Sequence, residues 1–242
     1  MYYDKYASKT IVTPQPNKPS EDYTNSPLVD YVKISPNRTS PRNHKIDTIT
    51  IHCVVGQCSV ETLGEVFAPT SRRASSNYGI GYDGKIGMYV EEKDRSWCSS
   101  NSANDNRAIT IEVASDTTKP YAVNDKAYAA LIELLVDICK RNDIKELKWK
   151  GDKSLIGQVD KQNMTVHRWF DDKECPGDFL YERHGAIADA VNKKLGVTTI
   201  PSVPVVEETT KFPYLVKINT AILNVRAGAG TNYKVNTQVK KN

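Results

Sequence analysis

Three side chains suited to holding a metal ion stand out along the sequence: His52 in DTITIHCVV, His167 in MTVHRWF and Cys175 in DDKECPGDF. Zinc takes imidazole nitrogen and thiolate sulfur in a tetrahedral arrangement, and a catalytic site keeps the fourth position open for water. Two histidines and one cysteine meet that requirement. Seven residues separate His167 from Cys175, and Pro176-Gly177 behind the cysteine suits a tight turn that aims the sulfur inward. The spacing is loose, and a histidine in a strand can equally be a packed core residue, so residue chemistry alone leaves both readings open. The other cysteines, Cys53, Cys58, Cys98 and Cys139, bring the total to five and form no Cys-x-x-Cys pair. An odd count of this kind argues against a disulfide framework. Cys53, next to His52, is expected on the opposite face of its strand, in the core with Cys139.

These residues need a scaffold, and the hydrophobic periodicity supplies one. Asp47–Val55 and Ala108–Ala114 are rich in Ile, Val and Thr and read as strands, the second with a single acid, Glu112, in an apolar run. Asn77–Tyr82 and Lys85–Val90 flank Asp83-Gly84 and predict a hairpin. Met164–His167 predicts a last strand, and residues 141–162 a loop with a short strand. Ser59–Phe67 begins with a capping serine and has helical spacing. Asn124–Lys140 places Ala127, Leu131, Leu134, Leu135 and Ile138 on one face, and Phe179–Leu195 predicts a second long helix ending at Gly196. Strands interleaved with helices predict an α/β domain, a mixed central sheet flanked by helices.

The chain has 242 residues, 39% hydrophobic and 26% charged, which suits a soluble protein of one sizeable domain with appendages or of two small domains. Residues 1–27 are polar and carry Pro14, Pro16, Pro19 and Pro27, so they predict a flexible tail. The catalytic domain is expected over 28–198, a Thr-, Val- and Pro-rich linker over 199–212, and a strand-like segment over 213–242. The net charge of +4 is spread along the chain without a dense Lys/Arg block, so no nucleic-acid partner is expected. No run of 18 apolar residues is present, so no membrane insertion is expected. The opening residues lack a basic start and an apolar core, so no secretory signal is expected and synthesis in the host cytoplasm is, with action on the cell wall after release.

Several segments, in order, resemble the type-2 N-acetylmuramoyl-L-alanine amidase family, which includes phage endolysins and peptidoglycan recognition proteins. TITIHCVVGQ is similar to the strand of the first ligand, SSNYGIGYDGKIGMYVEEKDRSW to the central hairpin and the segment after it, NRAITIEVAS to the acidic strand, and TVHRWFDDKECPGDFL to the second and third ligands. The resemblance spans roughly residues 28–197. It implies that His52, His167 and Cys175 bind Zn2+, that Tyr78 is the active-site tyrosine, that Glu112 is the acidic residue and general base, and that Lys173 faces the substrate. Where many members carry histidine, this chain has Asn77 and Cys98. Among the residues outside that set, Cys58 and Cys98 read as structural, His44 and His184 as surface or local structural residues, and Trp97 and Trp169 as residues that either line the groove or pack, packing being favoured.

The implied activity is zinc-dependent hydrolysis of the amide between N-acetylmuramic acid and L-alanine in bacterial peptidoglycan, in a phage or prophage endolysin acting as a monomer. The alternative is a non-catalytic peptidoglycan-binding protein. In that class a zinc ligand, especially the cysteine, is typically replaced, and here all three positions are filled. The LNVRAG stretch at 223–228 resembles the start of a bacterial SH3-like wall-binding module. Residues 213–242 fall below the roughly 40 at which a domain folds unaided, so the segment is expected to be a partial module without binding function. Limited proteolysis should cut within 199–212 and leave an active core of residues 25–198; cleavage elsewhere, or loss of activity on cleavage, would displace that boundary.

Overall fold

The computed structural model describes residues 25–197 and the strands Ile222–Arg226 and Val235–Lys240. The chain divides into two compact units, Met1–Thr199 and Ile200–Asn242. Within the first, the strands are β1 (Tyr31–Val32), β2 (Arg38–Thr39), β3 (Thr48–Cys53), β4 (Tyr78–Ile80), β5 (Ile86–Met88), β6 (Arg95–Ser96), β7 (Ala108–Val113) and β8 (Met164–Thr165). The helices are α1 (Val60–Phe67), α2 (Ser102–Arg107), α3 (Asp125–Arg141) and α4 (Gly177–Leu195). Six strands form a mixed sheet in the order β1-β5-β4-β7-β3-β8, in which only β4 and β5 are antiparallel. β2 and β6 form a separate antiparallel pair. The second unit contains the antiparallel pair β9 (Ile222–Arg226) and β10 (Val235–Lys240). The expected linker and residues 1–24 of the expected tail lie outside the described residues.

The sheet is two-faced because strand side chains alternate. Ile49, Ile51, Ile109, Ile111 and Val113 face one way and pack, with Tyr78, Ile80, Ile86 and Met88, against the fully buried Leu131, Leu134, Leu135 and Ile138 of α3 and Leu180, Ile187 and Val191 of α4. The intervening residues, Thr50, His52, Thr110 and Glu112, carry polar groups to the other face. There Thr50 and Thr165 share a hydrogen bond of 2.7 Å, and Asn104 of α2 donates to Thr50 and accepts from Thr165. A buried polar network of this kind is stable because its donors and acceptors are paired.

Local signals end the helices where the sequence places them. Ser59 accepts from the Thr62 amide, Asn124 from the Ala127 amide at 3.0 Å, and Gly196 takes φ 74° at the end of α4. The short elements β1, β2, β6 and α2 have too few residues for periodicity to reveal. Two expectations shift. Residues 141–162 hold a 3-10 turn, Lys153–Leu155, and no strand; β8 is two residues long, so His167 opens the 3-10 turn His167–Trp169. The folded region also begins earlier than residue 28. Asn25 and Ser26 are buried, and they bond to the Glu92 amide and the Tyr78 hydroxyl respectively.

Gly79 shows how closely the polar face is packed. A Cβ there would lie 2.7 Å from the Tyr89 ring and 2.8 Å from Leu63 Cδ1. Tyr89 cannot easily yield, since it is wholly buried and its hydroxyl donates to the Val60 carbonyl at 2.7 Å. Gly79→Ala should therefore destabilise the protein by about 1–3 kcal/mol in denaturant unfolding; unchanged stability would show that Tyr89 moves aside.

Candidate metal centre

His52 and Glu112 are brought together by backbone pairing. β3 and β7 run parallel, and their register sets His52 directly beside Glu112 near the carboxyl ends of both strands. His167, at the start of its turn, and Cys175, ahead of α4, approach from the loops beyond the sheet. One donor atom from each of His52, His167 and Cys175 lies within 4.8 Å of the other two. His52 Nδ1 is 3.3 Å from Cys175 Sγ, and the two imidazole centroids are 5.1 Å apart. Ser100 Oγ lies 3.1 Å from His167 Nε2, which leaves Nδ1 of that ring for the cluster.

Electrostatics suit the two imidazoles to a cation, while without one they hold Cys175 as the thiol. His52 is fully buried, and its pKa is held well below the usual imidazole value by burial and by the neighbouring His167. Burial lowers His167 as well. Both rings are therefore neutral at pH 7, the form that ligates. Contact with the Cys53 thiol, followed by burial, pushes the Cys175 thiol up. Cys53 joins the core on the opposite face, as alternation requires, yet it ends its strand and so also lines the cleft.

Glu112 stands beside this cluster. Its Oε2 is closed off from solvent and has no hydrogen-bond partner among the described residues, while Oε1 receives a long contact of 3.9 Å from Cys98 Sγ. Burial pushes its carboxyl up to about 8, against a smaller lowering by the Arg72 charge. A lone carboxyl oxygen in such a place is costly unless something else binds there. Cys98, Glu112 and His52 form a second group of donor atoms within 4.8 Å of one another, so Cys98 belongs to the floor of the site.

The cluster opens into a cleft of about 590 Å³, whose lining includes the apolar Val54, Val55, Val66 and Phe67 and the polar Arg72, Glu112, Lys173 and Tyr121. Lys173 stands on the rim with its side chain about half exposed, 3.9 Å from Asp171. Arg72, His167 and Lys173 also line an adjoining limb of about 600 Å³ that contains Arg73, Arg95, Trp97 and Ser100. These arginines escaped the sequence reading. The available signal was the Arg72-Arg73 pair just before the hairpin, which resembles any solvated charge pair.

Tyr78 is not brought to the site. It pairs with Ile111 in β7, whereas Gly79 pairs with Glu112, so alternation turns Tyr78 to the opposite face of the sheet. There it is wholly buried. Its hydroxyl donates to Glu92 Oε1 at 2.7 Å and accepts from the Ser26 amide at 2.9 Å. Asn77 is likewise internal, accepting from the Thr110 amide and donating to backbone carbonyls. His184 proves fully buried, its Nδ1 2.7 Å from the Leu180 carbonyl. Trp169 is a packing residue, stacked on Trp149 at 5.1 Å, while Trp97 lines the second limb and donates to Thr39. His44 lies at the surface near Asp47.

Two imidazoles and a thiol, with a carboxyl beside them, form a group that could hold a metal ion in an α/β protein with an open cleft. The chain belongs to the N-acetylmuramoyl-L-alanine amidase family, whose profile matches residues 42–178, more than half of its length. Among solved structures it is similar to a selenomethionine derivative of AmpD, with 19% identity, 69% of this chain and 98% of the other covered, and a TM-score of 0.51. A mutant endolysin from Bacillus subtilis matches at 17% identity over 66% of this chain and 96% of its own, with a TM-score of 0.49. The amidase LysC from Clostridium intestinale URNW matches at 18% identity over 65% and 93%, with a TM-score of 0.44. At such identities the AmpD likeness speaks for the fold. No curated protein sequence matches the chain.

Replacing Tyr78 by Phe should cost about 1–3 kcal/mol, because the Ser26 amide is left buried without its acceptor. Metal content and the rate at the folded site should stay unchanged. A loss of rate at unchanged stability would return Tyr78 to the chemistry.

Proposed function

We propose that this protein hydrolyses the amide between the lactyl group of N-acetylmuramic acid and the L-alanine of the peptidoglycan stem, with Zn2+ held by His52, His167 and Cys175. The observation that carries this reading is the convergence of those three donors beside a carboxyl oxygen that has no hydrogen-bond partner among the described residues. The donor set fits zinc, since two neutral imidazoles and one ionisable thiol are its ordinary ligands. Zinc bound there supplies Lewis acidity, acidifying a water and polarising the scissile carbonyl.

The remaining work falls to the chain. Glu112, whose burial raises its proton affinity towards neutral pH, takes the proton from the attacking water and passes it to the departing alanine nitrogen. Lys173, on the rim of the same cleft, places an ammonium where negative charge develops on the carbonyl oxygen. The Arg72 charge favours the ionised form of Glu112. The proposed sequence is a direct hydrolysis without a covalent intermediate. A lytic setting, in a phage or prophage endolysin, is supported by the LNVRAG segment after the linker. The second reading, a non-catalytic peptidoglycan binder, sits poorly with three filled ligand positions and an unpartnered carboxyl oxygen.

Purified peptidoglycan digested by the zinc-loaded protein should show free L-alanine amino termini and no new reducing sugars by mass spectrometry; new reducing sugars would mean a glycosidase. Cys175→Ser should lose metal and activity together, because a neutral hydroxyl is a much poorer zinc ligand. Glu112→Gln should keep about one zinc per chain while turnover falls by about 10²–10⁴-fold. Loss of zinc in that variant would make Glu112 a ligand, and near-normal turnover would assign the base elsewhere.

A further inference from the structure

The loop between β6 and α2 is held on both sides of Ser100. The Cys98 and Ser99 amides donate to Asp105, and Asn101 caps α2 by accepting from the Asn104 amide at 2.9 Å. Ser100 itself takes φ 59°, a left-handed conformation that a residue other than glycine adopts at a cost. This backbone sends an exposed hydroxyl to two partners on the turn that carries a candidate metal donor. Ser100 Oγ lies 3.1 Å from His167 Nε2 and 3.1 Å from Asp171 Oδ2. His167 and Asp171 belong to one turn, closed by the Phe170 and Asp171 amides on the His167 carbonyl at 2.9 and 3.3 Å.

The proton count of this bridge is fixed by its members. A hydroxyl has one hydrogen to give, and a carboxylate can only accept, so Ser100 donates to Asp171. The Ser100 oxygen is left to accept, and His167 Nε2 must carry the hydrogen. A neutral imidazole has one N–H, so Nδ1 of that ring keeps its lone pair for the metal cluster. The two histidines depend on such a bond to different degrees. His52 lies fully buried in a strand, where packing fixes its ring although its Nε2 has no hydrogen-bond partner among the described residues. His167 is half-buried on a three-residue 3-10 turn, where packing holds the ring less and a partner at the far nitrogen decides more.

We propose that Ser100, backed by Asp171, is a positioning residue for the metal: it locks His167 in the Nε2–H tautomer and so presents Nδ1 to the cation. This step rests on the metal part of the proposed function. A partner at the far nitrogen of a ligating imidazole orients the ring and raises its basicity, and losing one weakens metal affinity about 10–100-fold. Ser100 and Asp171 are both exposed, so loss of the hydroxyl should leave folding nearly untouched.

Two variants of the full chain remove the hydroxyl and differ in the backbone. Ser100→Ala keeps a side chain at φ 59°, whereas Ser100→Gly relieves the strain. In the metal-free protein at about pH 8, above the ordinary imidazole range, nitrogen NMR shifts of His167 should show the Nε2–H tautomer in the parent and a mixture of tautomers in both variants. Zinc affinity, measured by competition with a chelator of known strength, should fall about 10–100-fold in both, while thermal unfolding of metal-free Ser100→Gly is not lowered. Unchanged tautomer and affinity in both variants, or a loss confined to Ser100→Ala, would overturn the proposal. A parent protein that binds no zinc would sink the metal reading and the positioning role together. Zinc affinity that falls in both variants, in a parent that leaves peptidoglycan intact, supports the positioning role and sinks the amidase.

Discussion

Parallel pairing of β3 with β7 is the constraint on which the site depends. Their register sets His52 against Glu112, and it is fixed at the other end by the Arg107 guanidinium, which donates two hydrogen bonds to Asp47 at 3.0 and 2.6 Å. Asp47 and Arg107 stand immediately before the two strands, so this clamp holds both starts level. A slip of β3 by one residue would turn His52 into the apolar layer against α3 and α4 and bring Ile51 to the cleft, and a slip of β7 would do the same to Glu112 and Ile111. The apolar alternation therefore enforces the geometry of the polar groups, because the core tolerates no other register.

The polar face is kept intact by extensive hydrogen bonding. Thr50, Thr165, Asn104, Ser99 and Asp105 form a connected series of bonds that joins β3, β8, α2 and the loop after β6. Against that background the unpaired atoms are conspicuous. Among the described residues six buried side-chain atoms have no hydrogen-bond partner, and two of them, Glu112 Oε2 and His52 Nε2, belong to the candidate metal centre. Folding leaves such groups unsatisfied at a cost, which is the usual mark of a site shaped for something other than stability.

Charge is distributed over the cleft in a way that separates two tasks. Close to the donors, burial keeps both imidazoles neutral and raises the proton affinity of Glu112, conditions suited to metal binding and proton transfer. Further out, Arg72 and Arg73 are exposed. Arg72 still lowers the proton affinity of Glu112, whereas Arg73 bears on encounter more than on the reacting atoms, since exposed charges are screened.

Much of the scaffold was legible in the sequence because it is written in local terms: the alternation in β3 and β7, the Asp83-Gly84 turn, the Ser59 and Asn124 caps, and the apolar stripe of α3 each act over a few residues. The types of His52, His167 and Cys175 mark them as candidate donors, while a packed core histidine fits the sequence equally well; their convergence is visible only in the folded chain. Tyr78 was misplaced for a physical reason. A residue's face in a strand depends on its pairing partner, and only the register of β4 on β7 shows that Gly79, and not Tyr78, lies beside Glu112. For His184 the sequence leaves a surface and a local structural role open, and the packing of α4 against Trp149 decides for the structural one. Cys98 and Arg72 are distant in sequence from both histidines and join the site through chain folding alone. The sequence by itself determined which elements form and which donors exist; the tertiary structure decided which side chains share a face and a cavity, because that follows from non-local pairing and packing that no short window of residues contains.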